Sequence, residues 1–109
     1  FLDDGGHTMV QQINTLAKVW PYIADGGVYI CEDTHTSYWP DYGGGYKKHG
    51  SIIEYTKDLV DLVNLEGNPG VLPPESLINT FPDIKSIHYY HSMIVFIKGK
   101  TQLARVIVN

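Results

Sequence analysis

A chain of 109 residues has room for one small domain, and its 43% apolar content is that of a globular protein rather than a disordered one. The formal net charge of −4 argues against a nucleic-acid partner, which needs a basic face. No apolar run approaches the roughly 20 residues that cross a bilayer as a helix, so no membrane span is expected.

The chain opens Phe1-Leu2-Asp3-Asp4, which reads as the end of a strand whose beginning is missing, with no leader segment in view. The spacing predicts a helix over residues 8–20. Met9, Ile13, Leu16 and Trp20 recur at helical intervals, with Val10 and Ala17 widening the stripe. Thr8 and Gln11 have the form of a capping box, so the helix should begin just after His7. Asp25-Gly26-Gly27 is a turn, and residues 28–31 (VYIC) read as a short, fully buried strand ending at Glu32-Asp33. Cys31, the single cysteine, reads as a buried structural thiol; with no internal disulfide open to it, the composition fits a reducing, cytoplasmic setting.

Residues 34–50 are loop-like, rich in aromatics and carrying Gly43-Gly44-Gly45. Residues 51–65 return to helical spacing, with Ile52, Ile53, Thr56, Leu59, Val60 and Val63 on one face. Asn68-Pro69-Gly70 and Pro73-Pro74 break the chain again. Residues 86–90 and 93–97 read as two strands joined at His91-Ser92, and 103–108 have the composition of a further strand. Strand–helix–strand predicts a parallel pair with a right-handed crossover. The pattern is that of an incomplete α/β sheet, since a parallel sheet ordinarily has more strands and helices on both faces.

Asp3, Asp4 and His7 cluster at the end of the first strand, Glu32 and Asp33 at the end of the next. In open α/β sheets ligands bind beyond the carboxyl ends of the strands. If the strands are parallel neighbours, the acidic pairs meet at one edge, and alternation along a strand should divide the labour within each pair. Carboxylates gathered there repel unless a cation neutralises them, and oxygen ligands without thiolates suit a hard ion such as magnesium. The plainer reading is that Asp-Asp-Gly-Gly is a turn, Glu-Asp caps the next loop and His7 is a surface residue.

The strings DDGGHT, GGVYICEDTHTSYWPDYGGG and SIHYYHSMIVFIKG resemble the bacterial metal-dependent, S-adenosylmethionine-using sugar O-methyltransferases that modify deoxysugars and rhamnosyl groups. The resemblance runs from residue 2 to about residue 98, and the long EDTHTSYWP-plus-glycines string is its specific part. It implies the C-terminal half of a class I methyltransferase (Rossmann-like) sheet, with parallel strands, a crossover helix and a terminal antiparallel hairpin. On this reading residues 1–109 are a partial catalytic domain lacking the cofactor-binding half, because no strand–Gly-x-Gly–helix unit is present. The resemblance further implies Mg2+ held by Asp4, Glu32 and Asp33, with His7 as general base. Asp3 is left between cofactor contact and structural support.

Tyr38, Trp39 and Tyr42 either line a sugar pocket or anchor the loop. His35, Thr36 and Ser37 either touch substrate or bond the loop backbone, while His49, His88 and His91 read as non-catalytic. The implied function is metal-dependent methyl transfer from S-adenosylmethionine to a hydroxyl of a sugar-containing molecule, within a larger enzyme and inactive as this chain alone. Two alternatives stand beside it: a non-catalytic binding or assembly module pairing its open sheet edge with another chain, and a metal-dependent hydrolase.

Overall fold

The computed structural model describes residues 1–66, 70 and 72–100. Its elements are β1 (Leu2–Asp3), α1 (Met9–Val19), β2 (Val28–Glu32), α2 (Ile52–Val63), α3 (Glu75–Thr80), β3 (Ile84–Tyr90) and β4 (Met93–Lys98). The capping box forms as expected. Thr8 accepts from the Gln11 backbone, and Gln11 reaches back to the Thr8 backbone. Among the described residues, no helix is long and apolar enough to cross a membrane.

The strands make one sheet in the order β1-β2-β4-β3. β1 and β2 are the expected parallel pair, with Asp3 beside Cys31. β3 and β4 are the expected hairpin, turning at Ser92 with φ 57°. The hairpin folds back so that its second strand, β4, lies between β2 and β3, antiparallel to both. Tyr29 faces Phe96 and Cys31 faces Ile94 across that seam. These four side chains are buried with Met9 and Leu16 from α1, Trp20 at its C-terminal cap, and Ile52, Leu59 and Leu62 from α2. Trp20 packs edge-on to Phe96, and its indole N–H donates to the Pro82 carbonyl at 2.8 Å.

Several sequence expectations change in the fold. β2 is not fully buried: Tyr29 and Cys31 are, but Val28 is exposed, because α1 and α2 pack on the Tyr29–Cys31 face. Val10 lies outside the α1 stripe at 69% exposure, and Gln12 occupies a buried position instead. On α2, Val60 is exposed and Leu62 takes the inward place. Pro73-Pro74 does not only break the chain but leads into α3, with Pro74 at its N-cap. The expected strand at 103–108 and most of the 68–70 break lie outside the described residues.

Candidate metal centre

β1 and β2 run parallel and side by side, so their carboxyl ends emerge together. Alternation divides the first acidic pair. Asp3 points to the helix-covered face and is buried, where its Oδ2 accepts from the Tyr29 hydroxyl at 2.9 Å and its Oδ1 from the Gly5 N–H at 3.2 Å. Asp4 turns the other way, to Glu32 and Asp33.

The second pair does not divide. Glu32 is the last strand residue, and the chain leaves the sheet at Asp33 in the left-handed conformation (φ 60°, ψ 38°). That turn keeps both side chains on the Asp4 side, where one carboxylate oxygen from each of Asp4, Glu32 and Asp33 lies within 4.8 Å of the others. Oxygens about 2.1 Å from a magnesium ion lie at most about 4.2 Å apart, a little less than this upper bound. Partial desolvation raises the Glu32 carboxyl above its usual range, and the Asp4 charge, a hydrogen bond with Asp4 and the Asp33 charge push it the same way. A divalent cation relieves the same repulsion. The donor set, three carboxylates and no thiolate, fits a hard oxygen-seeking ion that keeps several waters.

His7 lies beside this cluster, its Nδ1 3.5 Å from Asp33 Oδ2. That separation exceeds a good N–H···O bond and is a charge contact when the ring is protonated. Nε2 has no partner among the described residues. Thr36, buried in the first turn of the following loop, ties the parts together: its hydroxyl reaches the His7 carbonyl (2.7 Å) and the Asp33 carbonyl (3.1 Å). Of the loop trio, Thr36 therefore bonds backbone. His35 Nδ1 lies 2.6 Å from Ser92 Oγ, pinning the loop to the β3–β4 turn.

The three loop aromatics separate. Tyr38 lines a cavity of about 360 Å³ with Thr34, His35, Tyr89, Tyr90 and His91, among others. Trp39, half-exposed, instead sits edge-on to both His35 and Tyr42. The glycine run has a steric cause, since Gly43 is left-handed (φ 87°) and a Cβ on Gly44 would collide with the Ser37 carbonyl. His88 meets Ser86, and His49 is on the surface. A buried polar residue that reaches the centre unannounced is Gln12, whose amide donates to the Glu32 and Asp33 carbonyls. Its only sequence signal was a polar residue one turn from Met9 and Leu16 on an otherwise apolar stripe.

This four-stranded open sheet, with acidic residues at adjacent strand ends, matches the fold of a solved methyltransferase. The MycE methyltransferase from the mycinamycin biosynthetic pathway, solved in complex with Mg, SAH and mycinamycin VI, matches 91% of the chain with a TM-score of 0.74 and 28% identity. A second structure of the same enzyme with Mg and SAH gives a TM-score of 0.72. The chain's homologues are sugar O-methyltransferases. It is 36% identical over 72 residues to L-olivosyl-oleandolide 3-O-methyltransferase of Streptomyces antibioticus, covering 62% of this chain. It is 29% identical over 102 residues to mycinamicin VI 2''-O-methyltransferase of Micromonospora griseorubida, covering 91%. An 8-demethyl-8-(2-methoxy-alpha-L-rhamnosyl)-tetracenomycin-C 3'-O-methyltransferase of Streptomyces olivaceus is 30% identical over 104 residues, 91% of the chain. The chain spans only 19% to 26% of the length of these relatives. No family model matches it.

Proposed function

We propose that this chain carries the metal-binding and proton-accepting side of an S-adenosylmethionine-dependent sugar O-methyltransferase, the rest of whose cofactor site lies in a longer protein. The observation that carries the reading is the convergence of Asp4, Glu32 and Asp33 within 4.8 Å, with His7 beside Asp33. The relatives named above support it. Asp4, Glu32 and Asp33 would hold a divalent cation such as Mg2+, which when bound supplies a Lewis acid able to lower the pKa of a sugar hydroxyl. His7 Nε2 accepts the hydroxyl proton as the oxygen attacks the methyl group of S-adenosylmethionine, leaving S-adenosylhomocysteine. The Asp33 carboxylate facing Nδ1 then steadies the imidazolium.

Tyr38 is the aromatic best placed to pack against the sugar-bearing substrate, since it opens into the cavity at the loop and hairpin tip. Trp39, edge-on to His35, and Tyr42, edge-on to Trp39, do not line that cavity, which leaves them the role of anchoring the loop. Asp3 is assigned to support rather than to cofactor contact, because Tyr29 and Gly5 occupy both of its oxygens. The substrate class is a deoxysugar hydroxyl on a sugar-bearing small molecule. β1, at the edge of the described sheet, is open to a further strand from the same or another chain.

The test is methyl transfer by the full-length protein from labelled S-adenosylmethionine to a rhamnosylated acceptor, with Mg2+ and with EDTA. Transfer that needs Mg2+ and is lost in Asp33→Asn is the expected result. Undiminished transfer in EDTA would remove the metal from the reading.

A further inference from the structure

We infer that Gln12 is a positioning residue that sets the affinity of the carboxylate cluster for its cation, by clamping the Glu32–Asp33 backbone from below. The inference rests on the metal-site reading above. Gln12 is on α1, 1% exposed, in a position that helical spacing gives to an apolar side chain. Its Nε2 donates to two consecutive carbonyls, Glu32 O at 3.1 Å and Asp33 O at 3.2 Å. These are the backbones of two of the three carboxylates.

The orientation of the amide is determined by its surroundings. A flip would set Oε1 against both carbonyl oxygens, so the NH2 end must face them. As a result Oε1 is buried with no hydrogen-bond partner. A purely structural position would be filled better by Leu or Met, which leave no orphan acceptor behind. What Gln offers there is two donors in a fixed fork.

The clamp acts where the backbone is least willing. Asp33 is a non-glycine residue in left-handed conformation, and such a conformation persists only when its surroundings over-determine it. Its carbonyl receives Gln12 Nε2, the Thr36 hydroxyl at 3.1 Å and the Thr36 N–H at 3.5 Å. If Asp33 relaxed to extended backbone, strand alternation would carry its carboxylate to the face opposite Glu32. The cluster would then lose one of its three ligands. Holding ligand geometry from behind is a recurrent source of metal affinity, and removing such support costs about 10- to 100-fold.

The experiment uses Mn2+, which shares the oxygen preference of magnesium, bound to the full chain and followed by electron paramagnetic resonance. Gln12→Met withdraws the donors and the orphan acceptor together, and Gln12→Ala withdraws them without adding bulk, so either variant that folds can be read. Thermal midpoints are taken in EDTA, with Leu16→Ala as a control that weakens the same helix without touching the carbonyls. Gln12 variants should bind Mn2+ about 10-fold more weakly or worse, whereas Leu16→Ala should lower the midpoint and keep wild-type affinity. Wild-type affinity in a folded Gln12 variant, or affinity that simply tracks the midpoint across all variants, overturns the inference. Wild-type protein whose Mn2+ binding is absent, or indifferent to Asp33→Asn, overturns the metal reading itself and the inference with it.

Discussion

Asp3 and Asp4 are chemically identical neighbours whose environments give them separate work. Asp3 spends both oxygens on Tyr29 and Gly5 inside the fold, while Asp4 faces two other carboxylates at the surface. His7 sits next to that charge without being one of the three gathered oxygens, so the proposed base and the proposed ligands are separate groups. In the full-length enzyme His7→Ala should therefore lower turnover by about 10²- to 10⁴-fold, the usual worth of a positioned base, while Mn2+ affinity stays near wild type. Steady-state kinetics and the metal titration together decide this, and a parallel loss of both would make His7 a ligand. Cys31, adjacent to the centre in sequence, faces the core instead. Burial first, and then the charges of Asp3, Asp33 and Glu32, push its thiol up to about 12. A group whose folded pKa lies above its unfolded value contributes stability that is complete below the unfolded value and is lost as pH rises toward the folded one. The urea midpoint should accordingly hold below about pH 9 and fall between pH 9 and 12, with Tyr29 shifting in the same direction. Native Cys31 should also stay unreactive to a disulfide reagent at pH 8 until the chain is unfolded, and rapid native labelling would contradict its burial.

At the scale of elements, α1 links the two halves of the centre. Its N-cap, Thr8, directly follows His7, and its buried face carries Gln12 to the end of β2. The capping box sets where the helix starts and so where His7 stands. Thr8→Ala should cost about 1 kcal/mol of stability in urea unfolding, and Thr8→Gly only a few tenths beyond wild type. An alanine variant as stable as wild type would mean that packing of Met9 and Leu16, rather than the cap, decides the helix start. α2 is anchored in the same manner at Ser51, whose hydroxyl accepts from the Glu54 N–H. Its inward residues Leu59 and Ile52 join the common core, and Thr56 meets the Tyr89 hydroxyl on β3.

For the whole molecule, the β4 insertion between β2 and β3 is the decisive event. It places Phe96 against Tyr29 and Trp20 at the centre of the core and gives β2 a neighbour on each side. Lys98, at the far end of β4, closes the same seam by donating to the Trp20 carbonyl at 3.0 Å with its ammonium over the indole ring. Phe96→Ala should cost about 3–5 kcal/mol, a large part of the stability of a small domain. Circular dichroism should show the variant unfolded or melting far below wild type. A midpoint within a few degrees of wild type would show that the seam does not hold the sheet together.

Local signals in the chain carried α1 and its cap, the parallel β1–β2 pair, the hairpin at His91-Ser92 and the acidic residues at the strand ends, because each depends on neighbours a few residues away. The EDTHTSYWP string carried the family resemblance as well. The remainder depends on contacts remote in sequence. Which face of β2 is buried, that β4 rather than β3 lies beside it, and that Val10 faces out while Gln12 faces in follow only from packing three segments together. The left-handed turn at Asp33 belongs to the same class. Asp tolerates that conformation but does not require it, and here Gln12 from α1 and Thr36 from the loop hold it. The residue types of the proposed metal site were legible in one dimension, whereas their convergence within 4.8 Å was decided by the fold that brings two strand ends and a buried amide together.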